Sequence, residues 1–261
     1  MIRVLNNFGT RGRSLLIIVC CFCLISVAHS QEKHTETLNQ VWLAYFNQTR
    51  FSEKFGVWLD LHLRTKEDFF TNFSQSVIRP GLTYYLTNDV KLTFGYAYVS
   101  HYPEDNHSKV TQPEHRIWQQ VQWYTNYKRI RTRQWVRLEE KFRRKILNDS
   151  TLVSGYNFYY KVRYNLSLQV PLAKKAFDPH SFAFVVNDEV HINFGKQIKY
   201  NYFDQNRFFI GFGYQTTASD QLQFGYMNVF QQLSSGNQYK SINAARIFYF
   251  HNLDLRKKKA T

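Results

Sequence analysis

The chain of 261 residues is basic, with 34 Lys and Arg against 19 Asp and Glu, and its mean hydropathy is −0.46. This low value argues against a protein built from transmembrane helices. It does not argue against a membrane β-barrel, because every second residue of a barrel strand faces the lumen. Phe, Trp and Tyr make up 18% of the chain, so many rings need a place outside an ordinary soluble core.

Residues 1–30 predict a cleaved signal peptide. Arginines precede an apolar run at 15–27, and the small residues Ala28 and Ser30 suit cleavage directly after them. A retained membrane anchor is the weaker alternative, because a spanning helix needs about 20 apolar residues. All three cysteines lie in this run, so the exported chain has neither disulfides nor a cysteine nucleophile.

A two-residue period dominates the rest of the chain. In the stretch YNFYYKVRYNLSLQV at 156–170, one register is aromatic and aliphatic, while the other contains Lys161 and Arg163. Such alternation predicts a β-strand with one apolar and one polar face. We find about eleven candidate strands, at 39–50, 54–65, 73–86, 89–100, 113–127, 132–145, 154–170, 181–194, 206–217, 220–232 and 239–253.

The length of these segments favours a membrane barrel. Strands of soluble proteins usually have about 5–6 residues, whereas a tilted membrane-spanning strand needs about 9–11. A closed barrel also leaves no exposed strand edge. The sequence therefore predicts an all-β fold: a signal peptide at 1–30, a single antiparallel transmembrane β-barrel at 31–255, and a basic tail at 256–261.

Strand number and connections are predicted less directly. Bacterial single-chain barrels favour even strand numbers, so we expect ten to twelve strands, with ten or twelve preferred over eleven. Short turns follow alternate strands and longer polar segments follow the others, which predicts one end with tight turns and one with loops. The predicted longer segments are 66–72, 101–112, 146–153 and 195–205.

Charges in the polar register predict a charged interior. Both signs are present, so Arg–carboxylate pairs are expected there, and unpaired charge would be costly without water. Barrels of about eight strands are filled by side chains and those near sixteen hold water channels, so a filled interior is favoured over a narrow pore. The predicted interior charges are Asp60, Arg64, Arg79, Arg116, Arg137, Glu139, Lys141, Lys161, Arg163, Glu189 and Arg207.

Two surface features are predicted at the strand ends. Basic residues at the loop end are candidates for binding phosphates of outer-leaflet lipid such as lipopolysaccharide, with a solvated basic rim as the alternative: Arg143, Arg144, Lys145, Lys196 and Lys199. The basic run from Lys128 to Lys145 resembles a nucleic-acid-binding patch, but the predicted hairpin of two strands places its two halves at opposite ends of the barrel, so a nucleic-acid partner is not expected. Aromatic residues near strand ends are expected to form interfacial girdles: Trp42, Tyr84, Tyr85, Tyr96, Tyr98, Trp123 and Tyr214.

Catalytic and metal sites have weak signals. The candidate histidines and serines form no local motif for a hydrolase: His62, His101, His115, His191, Ser74, Ser76, Ser100 and Ser167. Glu189 and His191 project to one strand face, but two ligands are few for a metal, so neither a metal nor another cofactor is expected. A lipid-acting hydrolase or acyltransferase and a soluble periplasmic β-sandwich that binds a ligand stay open as alternatives.

Several segments carry a family resemblance: Asn-Asp-Glu at 187–189, Phe-Asp-Gln-Asn-Arg at 203–207, Gly-Phe-Gly-Tyr at 211–214, Gly-Tyr-Met at 225–227, Arg-Leu-Glu at 137–139 and Arg-Tyr-Asn-Leu at 163–166. With these the chain resembles an uncharacterised family of exported β-barrels, domain of unknown function 2490. The resemblance implies a Gram-negative outer-membrane barrel without established activity. One departure is the extension after Phe250, since many outer-membrane strands end the chain on an aromatic residue.

The expected function is accordingly non-enzymatic. The protein would be an outer-membrane barrel that serves as a narrow pore or as a structural or interaction component of the cell envelope.

Overall fold

The computed structural model describes residues 33–66, 72–103, 109–173 and 177–256. The predicted signal peptide and most of the basic tail lie outside these described residues. Within them the chain forms eleven β-strands that close into one barrel. The strands are β1 His34–Arg50, β2 Phe55–Thr65, β3 Phe73–Tyr85, β4 Val90–His101, β5 Gln112–Tyr127, β6 Ile130–Asn148, β7 Thr151–Pro171, β8 Phe182–Phe194, β9 Phe203–Gln215, β10 Asp220–Gln232 and β11 Gln238–Asp254.

The predicted all-β barrel is confirmed, and each predicted segment contains one strand. A β-sandwich architecture is excluded because the strands form one closed sheet. The described part of the chain has no helix long and apolar enough to cross a membrane. The strand number lies within the predicted range, but the preference for ten or twelve was wrong.

The closing pair differs from all the others. Each strand pairs antiparallel with the next, whereas β1 pairs with β11 in parallel, in register from His34↔Gln238 to Arg50↔Asp254. An odd number of strands in up-and-down order leaves the first and last strands pointing the same way. The closing pair of an eleven-stranded barrel must therefore be parallel.

The barrel has two distinct ends. We call the end where β1 begins the loop end, and the end where β11 finishes the turn end. The loop end carries the connections 66–72, 102–111, 149–150, 195–202 and 233–237, and the turn end carries 51–54, 86–89, 128–129, 172–181 and 216–219.

Two connections differ from the prediction. At 146–153 the structure has a two-residue turn instead of a long segment, because β6 and β7 extend as a hairpin. The side chain of Asn148 accepts a hydrogen bond from the backbone of Ser150 at 3.0 Å, which stabilises this turn. The longer connection 172–181 lies at the turn end, among the tight turns.

Alternation separates the two faces as predicted. In β7, Lys161, Arg163 and Asn165 are buried, while Tyr164 is exposed on the outer face. The same pattern runs around the barrel, whose outer face shows large apolar side chains on every strand. Examples from the middle of the strands are Leu43, Leu61, Ile78, Leu82, Phe94, Ile117, Val121, Val136, Tyr164, Ile192, Ile210, Phe224 and Ile247.

Glycines make room for large rings inside the barrel. Gly81 and Gly95 face each other across β3 and β4, and the Trp118 indole packs over them. A Cβ atom on Gly95 would lie 2.8 Å from this indole, closer than packed atoms approach. Gly211 pairs with Gly225 in the same way beneath the ring of Phe209 on β9. The interior is therefore packed with rings as well as with charges.

The girdle prediction was partly wrong. Trp42 and Tyr85 are buried and point inward, because they lie in the polar register of β1 and β3. Tyr84, Tyr96 and Tyr98 are exposed on the outer face as expected.

Candidate functional site

The barrel interior contains two cavities and a constriction between them. The loop-end vestibule has a volume of about 430 Å³ and the turn-end vestibule about 450 Å³. No lining residue is common to both vestibules. The void between them has only about 70 Å³, room for about two waters at about 30 Å³ each.

Aromatic side chains fill the constriction. The ring of Phe46 stacks on Phe250 with centroids 4.7 Å apart, and the Trp58 indole meets the Trp118 indole edge-on at 6.1 Å. Four of the five tryptophans are buried: Trp42, Trp58, Trp118 and Trp135. Interior-facing rings of this size fill a barrel of this strand number.

Guanidinium groups lie on these rings. The Arg137 guanidinium is 4.4 Å from the Trp118 ring centre, and that of Arg246 is 3.9 Å from Phe209. Arg64, Arg207 and Arg163 make similar contacts with Trp42 or Trp135. Cation–π attraction strengthens when both groups are removed from water. It stabilises interior cations that outnumber the interior carboxylates.

Five buried carboxylates form ion pairs in the loop-end half of the barrel. Each is contacted by at least one cation, and the closest pairs have the short distances of charge-assisted hydrogen bonds. The pairs are Arg79–Asp60 at 2.7 Å, Lys161–Asp204 at 2.5 Å, Arg163–Glu139 at 2.6 Å, Lys141–Glu114 at 3.3 Å, Arg116–Glu114 and Arg163–Glu189.

Glu139 links the largest group of these cations. Its Oε1 accepts a hydrogen bond from Arg163 at 2.6 Å, and its Oε2 accepts one from Arg116 at 3.2 Å. Glu139 has no solvent exposure. Arg137, on the same strand, lies 3.8 Å from it, so three cations surround this carboxylate and make it the centre of the network.

The structure places all the predicted interior charges inside the barrel. Arg64 and Arg207 are half-buried in the wall of the loop-end vestibule. The others are buried: Asp60, Arg79, Arg116, Arg137, Glu139, Lys141, Lys161, Arg163 and Glu189.

Sequence reasoning missed other interior charges. Glu114 lies two residues before Arg116 in the same register, so its direction was available from the pattern. Asp204 had no such signal, because the pairing of β8 with β9 shifts beside it and both Asp204 and Gln205 are buried. A bulge of this kind interrupts the two-residue period. Lys91 and Arg246 are also buried inside.

The candidate histidines have carboxylate or tyrosine neighbours. His191 Nε2 lies 2.6 Å from Glu189 Oε1, and His101 Nε2 lies 3.3 Å from Glu114 Oε2. Among the described residues no group of three or more metal-ligating side chains is found. Glu189 is also held by Arg163, so the Glu189–His191 pair belongs to the ion-pair network. Ser76, one of the candidate serines, contacts Tyr102.

The predicted phosphate-binding residues divide into two groups. Arg143 lines the loop-end vestibule, where its Nε donates to Gln112 Oε1 at 2.7 Å. Arg144 is the next residue on β6, and its guanidinium lies 5.4 Å from the ring centre of Tyr156. Lys145, Lys196 and Lys199 are exposed at the loop end. We call Arg144, Lys145, Lys196 and Lys199 the basic rim.

Comparison with known proteins gives one match. The profile of a family described as "Protein of unknown function (DUF2490)" matches residues 39–240, which contain β2 to β10 and most of β1. Neither the curated proteins nor the solved structures contain a match.

Proposed function

This chain belongs to the family of proteins of unknown function DUF2490, and we propose that it is a non-enzymatic outer-membrane β-barrel that acts as a structural or interaction component of the envelope. The observation that carries the proposal is the combination of an apolar outer face with a polar, filled interior.

The outer face supports a bilayer as the surrounding medium. Phe94 is 60% exposed, and Ile78 and Leu82 are each 53% exposed. Soluble monomers rarely expose contiguous apolar patches beyond a few hundred Å², whereas acyl chains solvate such side chains and a closed barrel pairs every backbone group. The shortest strand, β2, has 11 residues, so at 45° it spans about 26 Å, enough for an apolar band of about 25 Å.

Aromatic pairs near both ends support the same placement. At the loop end Tyr160 stacks on Phe194 with centroids 5.2 Å apart. At the turn end Phe182 packs on Tyr214 at 4.8 Å. Rings at both levels of a barrel are typical of the two membrane–water interfaces.

The constriction supports a structural role over a pore. Side chains reduce the central void to about 70 Å³, and stacked rings and buried ion pairs form its wall. Opening a passage through it would separate paired charges in a low-dielectric interior, which is costly. We therefore propose that the intact barrel does not conduct ions.

The basic rim is the part of the protein that we propose to contact lipid headgroups. With the turn end in the periplasm, the loop end faces outward, and the exposed cations Lys196 and Lys199 reach the level of outer-leaflet headgroups. Lipopolysaccharide carries phosphates there, which basic side chains attract.

Membrane insertion is tested by electrophoresis without heating. We expect the protein in the outer-membrane fraction, migrating faster before boiling than after it, because a closed barrel resists detergent until heated. Quantitative release of the chain in the soluble periplasmic fraction would contradict membrane insertion.

The closed interior is tested in planar bilayers. The intact protein should give no conductance steps, whereas a Phe46→Ser and Phe250→Ser double variant should give them, because it removes the stacked rings of the constriction. A matched double variant on the outer face, Phe94→Ser with Phe224→Ser, should stay silent. Discrete steps from the intact protein would show that it is a pore.

A further inference from the structure

The wall of the loop-end vestibule has an excess of positive charge. Among the described residues that line it, nine are Arg or Lys and two are acidic, Glu139 and Asp204. The nine are Arg64, Arg79, Arg116, Lys141, Arg143, Lys161, Arg163, Arg207 and Lys240. This excess raises the question of which anion neutralises it.

Protein carboxylates account for only part of the compensation. Five of the nine cations contact the five buried carboxylates described above. Lys240 has Glu36 at 3.9 Å, with the Glu36 side chain 51% exposed. Arg143 and Arg207 form no ion pair with any carboxylate among the described residues. These two arginines are therefore the cations that an incoming anion would meet.

The hydrogen-bonding groups of Arg143 and Arg207 are only partly used. Nε of Arg143 donates to Gln112 Oε1 at 2.7 Å, and Nε of Arg207 donates to Gln205 Oε1 at 3.4 Å. Among the described residues, their terminal Nη groups have no hydrogen-bond partner. The Arg207 guanidinium lies 5.0 Å from the ring centre of Trp42, a contact that uses its face and leaves its edge for a ligand.

The charge and shape of the two guanidinium groups indicate the class of ligand. A guanidinium removed from bulk water is costly without a counter-charge, and its planar fork binds phosphate oxygens by paired hydrogen bonds. Because two cations of the wall make no close ion pair with a carboxylate of the described residues, a multiply charged anion fits better than a monocarboxylate. The volume of about 430 Å³ lies in the range of small-molecule sites.

We propose that the loop-end vestibule binds phosphate, with the Nη groups of Arg143 and Arg207 as candidate donors on its wall. This site is separate from the basic rim: Arg143 points into the barrel, while its neighbour Arg144 lies beside Tyr156. The phosphate comes from a soluble phosphate-bearing compound or from a lipid headgroup that reaches into the vestibule. Phosphate binding does not depend on membrane insertion, so it goes beyond the function proposed above.

The direct test titrates inorganic phosphate into the full-length protein in detergent by calorimetry, at constant ionic strength. Arg143→Gln and Arg207→Gln should each weaken binding about ten-fold, the loss expected for one charge-assisted hydrogen-bonding group. Arg144→Gln is the matched control, with the same residue type on the same strand, and should change the affinity less than two-fold. Heat-shift electrophoresis of each variant reports folding separately.

A second arm identifies the source of the phosphate. Lipopolysaccharide in detergent micelles is added to the protein with phosphate bound. If lipopolysaccharide displaces phosphate from the unmodified protein but not from the Arg143→Gln variant, its headgroup occupies the vestibule. If phosphate stays bound while lipopolysaccharide binds elsewhere, the natural ligand is a soluble phosphate-bearing compound. Either outcome supports a phosphate site.

Two results would overturn the proposal. One is that neither phosphate nor lipopolysaccharide binds in a manner that depends on Arg143 or Arg207. The other is an equal loss in Arg144→Gln, which would indicate diffuse attraction by the basic surface. If a Gln variant fails to fold, Arg143→Lys and Arg207→Lys keep the charge but lose the planar fork, and a several-fold loss of affinity is expected from each.

Discussion

At the scale of single residues, the interior is a balance between buried carboxylates and a larger number of cations. The carboxylates are shared, as when Glu139 accepts hydrogen bonds from both Arg116 and Arg163. Several other cations lie on rings, as Arg137 does over Trp118. A filled barrel can hold this many charges because carboxylates such as Glu139 and Glu114 each contact more than one cation, and aromatic faces stabilise several of the other cations.

The position of Glu139 gives a residue-scale prediction. Glu139→Gln should lower the free energy of unfolding by about 3 kcal/mol, because it leaves the buried Arg163 and Arg116 guanidiniums without that counter-charge. The measurement is urea unfolding of the refolded barrel in detergent. Glu140→Gln is the matched control: it lies next in sequence, on the outer face, and within the described part of the chain its carboxylate accepts only a 3.4 Å hydrogen bond from Gln119. Equal losses in the two variants would contradict a central role for Glu139.

The direction of individual side chains could be predicted where the period of two is regular. The inward direction of Lys161 and Arg163 followed from their register in β7, and the structure has both buried. Asp204 could not be placed, because the bulge beside it turns two successive residues inward. Trp42 was placed wrongly because it was assigned to an interface by residue type, whereas its position in the polar register of β1 turns it inward, beside Arg64 and Arg207.

At the scale of strands, the sequence predicted where strands form but not how the first and last of them pair. All the predicted segments became strands, since alternation is a property of a short window. The extension of β6 and β7 was missed because Asn148, Asp149 and Ser150 are turn residues, which made the whole 146–153 segment resemble a loop. The parallel pairing of β1 with β11 joins residues about 200 positions apart, and no local window contains that information.

The parallel closing pair gives an element-scale prediction. Val41 and Ala245 are partners on the outer face of β1 and β11, and Cα atoms of directly paired strand residues lie at a distance that suits a disulfide. The chain has no cysteine after residue 23, so Val41→Cys with Ala245→Cys should form one cross-link on oxidation. The cross-link closes the chain into a loop, so the oxidised protein should change its mobility on a denaturing gel when the disulfide is reduced.

A register control makes this test specific. Leu43 pairs with Ile247, two residues beyond the Val41–Ala245 pair. A Leu43→Cys and Ala245→Cys variant should therefore cross-link much more slowly. Faster oxidation of this offset pair would show that the closing register is different, and no oxidation of either pair would show that β1 and β11 are not neighbours.

At the scale of the whole molecule, the odd strand number fixes at which ends of the barrel the first strand begins and the last strand finishes. Every strand crosses the barrel once, so β1 begins at the loop end and β11 finishes at the turn end. An even-stranded barrel would return its last strand to the end where the first began. If the protein spans a membrane, the two ends of its barrel domain must lie on opposite sides.

Labelling of single cysteines tests this topology. Thr35 is exposed at the loop end, where β1 begins, and Leu255 is exposed at the turn end, directly after β11. With the loop end outward, Thr35→Cys should react with a bulky membrane-impermeant maleimide on intact cells. Leu255→Cys should react only after the outer membrane is disrupted, because an odd number of crossings and about 25 Å of apolar band lie between the two positions. The reverse pattern would invert the orientation while keeping an odd strand number. Labelling of both variants on intact cells would contradict an odd number of membrane crossings, since the start of β1 and the end of β11 would then lie on the same side of the bilayer.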